Sequence, residues 1–225
     1  MDFIFMLTQN DATAPNALEL VEAARPLELK FIGFKDIGAD AVTLRRLTQA
    51  IRAAGASPVM EIVATDREAE LAAVALGRDL GVDTLMGGVH VEAALALLAG
   101  AKIDYLPFCG FPRGHPTLLD GSPDVVEAQC RAFLNQGCAG VDLLAYRATE
   151  AAPSQLVAAA RRGLGAAARL VVAGSINGRD RIRAIAEAGA DAFTIGTSVL
   201  DGSYAPGAGP LAAQLQAVLD DCRAS

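Results

Sequence analysis

An α/β fold, a parallel eight-stranded sheet closed into a (β/α)8 barrel, is predicted for this chain by three observations. Short apolar or β-branched runs alternate eight times with helix-length amphipathic stretches. The runs are near-continuously hydrophobic, as strands covered on both faces must be. Glycine followed two residues later by aspartate recurs where helix gives way to strand. Eight units over 225 residues leave about 28 residues per unit, enough for a strand, a helix and two short loops. No linker or composition shift divides the chain, so residues 1–225 are expected to form one barrel domain.

The strands are expected at residues 3–7, 30–36, 58–64, 84–88, 104–109, 142–146, 169–174 and 192–196. The helices are expected at residues 14–24, 41–54, 67–80, 91–98, 124–136, 153–164, 179–188 and 210–223. Thr65 with Glu68 reads as a capping box for the third helix, and Ser122 with Pro123 as the N-cap and first residue of the fifth. Gly81-Val82-Asp83, Gly140-Val141-Asp142 and Gly189-Ala190-Asp191 each read as a helix cap followed by a strand entry, and Ile103-Asp104 repeats the entry aspartate. That register puts Asp83, Asp104, Asp142 and Asp191 at the amino-terminal end of the barrel, where residues serve stability. Residues 201–210 are read as the loop after the eighth strand.

The composition narrows the function classes. A net charge of −7 with only three lysines excludes a basic nucleic-acid footprint. Apolar runs stop far short of the roughly 18 to 20 residues of a membrane span, and the start lacks the basic flank of a secretory signal. Four cysteines without a CxxC pair point to reduced thiols and a cytoplasmic setting. Thr8-Gln9-Asn10-Asp11 follows the first strand in place of a GxGxxG turn, so a dinucleotide is not expected. No cofactor and no metal are expected, and the alanine-rich helix faces leave homo-oligomerisation open.

Two small-residue turns follow the last two strands: Gly174 and Ser175, then Gly196 and Thr197, the second running into a short helical turn. Glycine lets main-chain N–H groups approach an anion closely, so these four residues are the predicted phosphate site. The segment VVAGSINGRDRIRAIAEAGADAFTIGTSVLDG, residues 171–202, resembles the corresponding part of the phosphate-binding TIM barrels, the ribulose-phosphate-binding and aldolase-type group. Ser175 stands where many members carry a second glycine, yet it keeps the backbone donor. The resemblance implies an enzyme of phosphorylated sugars. The successive His and Asp ligands of pentose-phosphate epimerases and the Asp-x-Lys-x-x-Asp cluster of orotidine-phosphate decarboxylases are both absent.

Side-chain alternation selects the reacting groups. With Ile32 and Phe34 outward, Phe31, Gly33 and Lys35 point into the barrel, and Lys35 reaches the mouth. Apolar surroundings would depress its pKa, which suits proton transfer or a Schiff base. Glu61 interrupts the apolar third strand and becomes intelligible inside the barrel beside Lys35, as an acid/base couple or as a structural pair. Arg147 is read on the face of Leu143 and Ala145, taken as inward, where it clamps substrate or else pairs with Glu150. The long fifth loop, residues 109–121, is read as a lid carrying Arg113 and the proton carrier His115, with Cys109 as packing. Thr8, Asn10, Asp11 and His90 are candidates for hydrogen bonds to substrate, as is Arg113. Asp36 turns either to Lys35 or to solvent.

The expectation is therefore a cofactor-independent isomerase, epimerase or lyase that acts on a small phosphorylated metabolite by proton transfer next to a carbonyl. Lys35, Glu61, Arg147 and His115 form its catalytic set. The alternatives are a class I aldolase with a Schiff base on Lys35, and a non-catalytic phosphometabolite-binding protein.

Overall fold

The computed structural model describes residues 1–64, 66–114 and 117–225. Among these, eight parallel strands build the central sheet: β1 Asp2–Met6, β2 Phe31–Lys35, β3 Ser57–Ile62, β4 Thr84–Gly87, β5 Asp104–Leu106, β6 Gly140–Leu143, β7 Arg169–Val172 and β8 Ala192–Ile195. They pair in the order β6-β7-β8-β1-β2-β3-β4-β5. The seam between β5 and β6 is joined by three bonds. Ala139 N–H donates to the Tyr105 carbonyl at 3.0 Å, Asp142 N–H to that of Pro107 at 2.9 Å, and Cys109 N–H to that of Asp142 at 3.2 Å. The sheet closes on itself, which removes the exposed edges an open sheet would carry.

The outer ring consists of α1 Ala17–Ala24, α2 Ala41–Ala53, α3 Arg67–Leu80, α4 Val91–Leu98, α5 Pro123–Gln136, α6 Pro153–Leu164, α7 Arg179–Glu187, the single turn α8 Thr197–Leu200, and α9 Leu211–Arg223. Ser122 caps α5 with Pro123 at its first position, as predicted. The N-cap of α3 is Asp66, whose Oδ1 accepts from Ala69 N–H at 3.0 Å, in place of the predicted Thr65–Glu68 box. Thr65 lies outside the described residues, as do His115 and Pro116. Among the described residues no helix is long and apolar enough to cross a membrane.

Period-two alternation divides the sheet residues into two cores. Phe5, Phe34, Met60, Leu85, Val172 and Phe193 face the helices, while Ile4, Met6, Val59, Met86, Leu106, Val171 and Ala192 fill the barrel. Ile32 and Phe34 are outward as expected, which puts Lys35 inward at the carboxyl end of β2.

The register of β6 differs from expectation. Gly137, with φ of 103°, caps α5, and Gly140 is the first residue of β6. Asp142 therefore lies in the middle of the strand instead of at its first position, and its side chain is fully buried. Leu143 and Ala145 join the helix-facing core, so the face taken as inward at this strand is the outer one. The strand also ends early, at Leu143, and Ala145–Arg147 forms a 3-10 turn. Asp83 and Asp191 do sit at the amino-terminal end. Asp83 pairs with Arg52 at 2.6 Å, and Asp191 Oδ2 accepts from Leu170 N–H at 2.7 Å.

Two loops at the carboxyl end carry small hairpins. Thr8–Gln9 pairs with Ala12–Thr13 after β1, turning at Asn10 and Asp11 with φ of 51° and 59°. Phe111–Arg113 pairs with Leu118–Asp120 in the segment read as a lid. Cys109, Cys130, Cys138 and Cys222 are free and buried, and the side-chain hydrogen bond with Cys130, together with burial, raises the Cys109 thiol's pKa, so Cys109 packs.

Candidate active site

A cavity of about 300 Å³ opens at the carboxyl ends of the strands. Its wall brings together Lys35, Glu61, Arg147, Gly174, Ser175, Gly196 and Thr197. These residues come from β2, β3, the turn after β6, and the two glycine-bearing corners after β7 and β8. The predicted reacting groups and the predicted anion corners thus share one space.

One end of the cavity is an ion-pair cluster held by strand register. Lys35 and Glu61 are direct neighbours across β2 and β3, and the ammonium stands 4.0 Å from Glu61 Oε1. Both are nearly closed to solvent, at 8% and 7% exposure. Asp11 reaches in from the hairpin after β1, accepting from Lys35 Nζ at 3.0 Å and from Arg147 at 3.5 Å. Thr13 fixes the base of this arrangement, since its Oγ1 accepts from Lys35 N–H at 2.9 Å and donates to the Lys35 carbonyl at 2.8 Å.

These contacts reverse the expected shift of Lys35. Burial alone pulls its pKa down, but the carboxylates of Glu61 and Asp11 outweigh that effect and the net shift is upward. Lys35 is therefore a stable ammonium at neutral pH. Asp11 is the complement: burial raises it, the cations Lys35 and Arg147 outweigh burial, and its pKa falls below the ordinary carboxylate range.

At the other end the chain turns sharply. Gly174 has φ of +77° and Ser175 of +60°, the second a conformation that a residue with a Cβ adopts only under constraint. A Cβ on Gly174 would come within 2.6 Å of Arg147 Nε, so glycine here lets the guanidinium lie over the turn. Gly174 N–H donates to Thr194 Oγ1 at 3.3 Å. The N–H groups of Ser175, Ile176, Thr197 and Ser198 have no intramolecular acceptor among the described residues. Ser198 Oγ, at the same wall, is buried and also lacks a partner there.

Other predicted residues lie elsewhere. Asn10 is exposed at the hairpin tip while its neighbour Asp11 turns inward. His90 lines a separate cavity near α4, and its Nδ1 is 2.8 Å from Oε2 of the fully buried Glu70. Arg113 is exposed and pairs with Asp120 across its hairpin. Asp36 is turned aside, its Oδ1 accepting from Val63 N–H at 2.9 Å. Glu150 accepts from Gly121 N–H at 3.1 Å, which leaves Arg147 to Asp11. His115 is outside the described residues. Among those described, no three His, Cys, Asp or Glu side chains are grouped so as to hold a metal ion.

Two acids matter more than the sequence reading allowed. Asp11 proves to be the bridge between both cations, a role that depends on how the hairpin folds back. Asp142 is fully buried inside β6, with neither carboxylate oxygen partnered among the described residues. Burial, then the nearby Glu61 charge, raises its pKa far above the ordinary value, and the opposing pull of Lys35 and Arg147 does not reverse this. An acidic residue at the third position of a strand, two after an inward glycine, was the available signal.

No protein-family model and no curated protein matches the sequence. Solved structures do match the fold. A 3-hexulose-6-phosphate synthase aligns over 100% of this chain and 99% of its own, with a TM-score of 0.67 and 14% identity. Orotidine 5'-phosphate decarboxylase from Pyrococcus horikoshii OT3 aligns over 98% and 99%, with a TM-score of 0.65 and 13% identity. A mandelate oxidase with an FMN adduct aligns over 99% and 73%, with a TM-score of 0.68 and 14% identity. The resemblance read from residues 171–202 holds at the level of fold: the chain is a (β/α)8 barrel whose solved structural neighbours include barrels named for phosphorylated substrates.

Proposed function

We propose that this protein is a phosphosugar-processing barrel enzyme that moves a proton next to a carbonyl, as an isomerase, epimerase or lyase without a cofactor. One observation carries this reading: unclaimed main-chain donors at two glycine corners and a buried Lys35–Glu61 pair open on one cavity of about 300 Å³. The neighbours named for phosphorylated sugars support the substrate class.

The donors at Ser175, Ile176, Thr197 and Ser198 receive the phosphate, so an acidic chain can bind an anion without devoting lysines to it. The carbonyl then lies between Lys35 and Arg147. Glu61 takes a proton from the adjacent carbon, and the developing oxyanion is stabilised by the Lys35 ammonium and the Arg147 guanidinium. Returning the proton to the same carbon, to its other face or to the neighbouring carbon distinguishes the possible reactions. Schiff-base chemistry needs Lys35 as a neutral amine. The upward shift of Lys35 favours the acid/base role over the aldolase alternative.

The direct test is isotope exchange. Incubated in D2O with three- to six-carbon keto and aldehyde phosphates, the protein is expected to place deuterium beside the carbonyl of at least one, seen by proton NMR. Sulfate binding with no exchange on any of them would favour the non-catalytic phosphometabolite-binding alternative.

The anion corner has its own test. In Gly174→Val the side chain meets Arg147 and the positive φ is strained. Sulfate affinity measured by calorimetry is expected to fall about tenfold or more, matching ~1–3 kcal/mol of backbone strain. Unchanged affinity would remove this turn from the site.

A further inference from the structure

The hairpin after β1 turns on two residues with positive φ, Asn10 at 51° and Asp11 at 59°. Asn-Gly is the favoured pair for such a turn, because glycine accepts positive φ without strain. This chain has Asn-Asp instead. The aspartate side chain gives nothing back to the hairpin: among the described residues its carboxylate accepts only from Lys35 and Arg147.

Both cations converge on one oxygen. Asp11 Oδ1 accepts from Lys35 Nζ at 3.0 Å and from Arg147 Nη2 at 3.5 Å, at the wall of the cavity. Any negatively charged oxygen at that point would meet the same ammonium and guanidinium. Arg147 also connects the point to the corner after β7, since its Nε lies 2.6 Å from where a Cβ on Gly174 would stand. One planar group thus reaches both places, and a short carbon chain spans the same interval.

Lys35 and Arg147 are balanced by Asp11 and Glu61. An oxyanion arriving between the cations adds a negative charge unless one carboxylate withdraws. Glu61 is held in register on β3 opposite Lys35, whereas Asp11 stands at a two-residue hairpin turn, its side chain 22% exposed. Asp11 is the one free to leave.

We propose that Asp11 is a specificity-determining residue whose carboxylate holds the place of a substrate oxyanion between Lys35 and Arg147 and yields it when that oxyanion arrives. This rests on the acid/base reading and deepens it, by naming the second charged group the substrate presents: the oxygen of its carbonyl once the proton has left. A neutral oxygen competes poorly with a carboxylate for two cations, and an oxyanion competes well. Exchanging one anion for another also keeps both cations paired. The cavity therefore selects phosphate esters that develop negative charge a short chain away from the phosphate.

Ethyl phosphate and phosphoglycolate test this, being equal in chain length and different in the carboxylate of the second. Each is titrated into the full chain and followed by the amide NMR signals. In Asp11→Gly, which suits the turn, affinity for phosphoglycolate is expected to rise about tenfold or more as the competing charged contacts go, while that for ethyl phosphate changes by less than about threefold. Asp11→Asn removes the charge at nearly constant shape, is expected to gain in the same direction, and decides the matter should Asp11→Gly fail to fold. Equal changes for the two esters, or weaker binding of phosphoglycolate, would mean that Asp11 only braces the cations and would overturn the displacement, leaving the exchange reaction in D2O untouched. A wild type that binds neither ester would overturn the phosphate corners, and this inference with them.

Discussion

Lys35→Ala is expected to lower turnover by about 10²- to 10⁴-fold, the usual contribution of a positioned acid/base group, while sulfate affinity changes by less than about threefold. The separation of the two effects follows from the geometry. Lys35 belongs to the ion-pair cluster with Asp11 and Glu61, whereas the unclaimed donors belong to the turns after β7 and β8. Lys35→Arg tests shape against charge, since it keeps the cation but not the compact ammonium. Exchange kinetics and calorimetry on the same preparations decide the matter. If Lys35→Ala retains turnover, Lys35 leaves the mechanism; if sulfate binding is lost as well, the two ends of the cavity are not independent.

The same substitution changes stability in a defined pH window. Lys35 is raised in the folded state, so its contribution is fully present below the ordinary lysine pKa and is lost as pH rises through the folded value. Asp11 is lowered, so its contribution is present above the ordinary aspartate pKa and is lost as pH falls through its folded value. Between these limits Lys35→Ala leaves buried carboxylates short of a partner, a loss of about 3 kcal/mol when a buried pair is broken on one side. The difference between wild type and variant is therefore expected to be largest near neutral pH and to shrink in acid.

Gly140→Ala is expected to lower folding stability by about 3 kcal/mol or more, among the largest effects of any single methyl group in this chain. A Cβ at this position would lie 1.9 Å from the Arg169 carbonyl oxygen, which is backbone in the adjacent strand β7. Neither strand can retreat without breaking the ladder that follows, from Val141 opposite Leu170 to Leu143 opposite Val172. Urea unfolding should show a lower midpoint with an unchanged slope, because the barrel remains the folded state. A loss below about 1 kcal/mol would mean that the strands separate more readily than this packing allows. By contrast Gly137→Ala meets open space and acts only through its φ of 103°.

These two glycines explain where the sequence could be read and where it could not. The Gly-x-Asp pattern places Asp83 and Asp191 correctly because Gly81 caps α3 and Gly189 follows the end of α7. At Gly140-Val141-Asp142 the same letters mean something else, since the cap is three residues earlier and the glycine answers to a neighbouring strand. That single displacement moved Asp142 from the amino-terminal rim into the interior. It also turned the face of Leu143 and Ala145 outward, so Arg147 reaches the cavity by way of a 3-10 turn and not by strand alternation.

What the sequence determined by itself was local or periodic. Eight alternating units implied closure, period two turned Lys35 and Glu61 inward, and small residues after two successive strands marked the two corners proposed to take phosphate. Each of these depends on neighbours within a few positions along the chain. The tertiary structure decided which distant groups meet. It brought Asp11 over Lys35 and Arg147, buried Asp142 inside β6, and left Asn10, His90 and Arg113 outside the cavity. The physical reason is that those placements depend on how a hairpin folds back and where a strand begins, and both are fixed by packing between segments far apart in sequence.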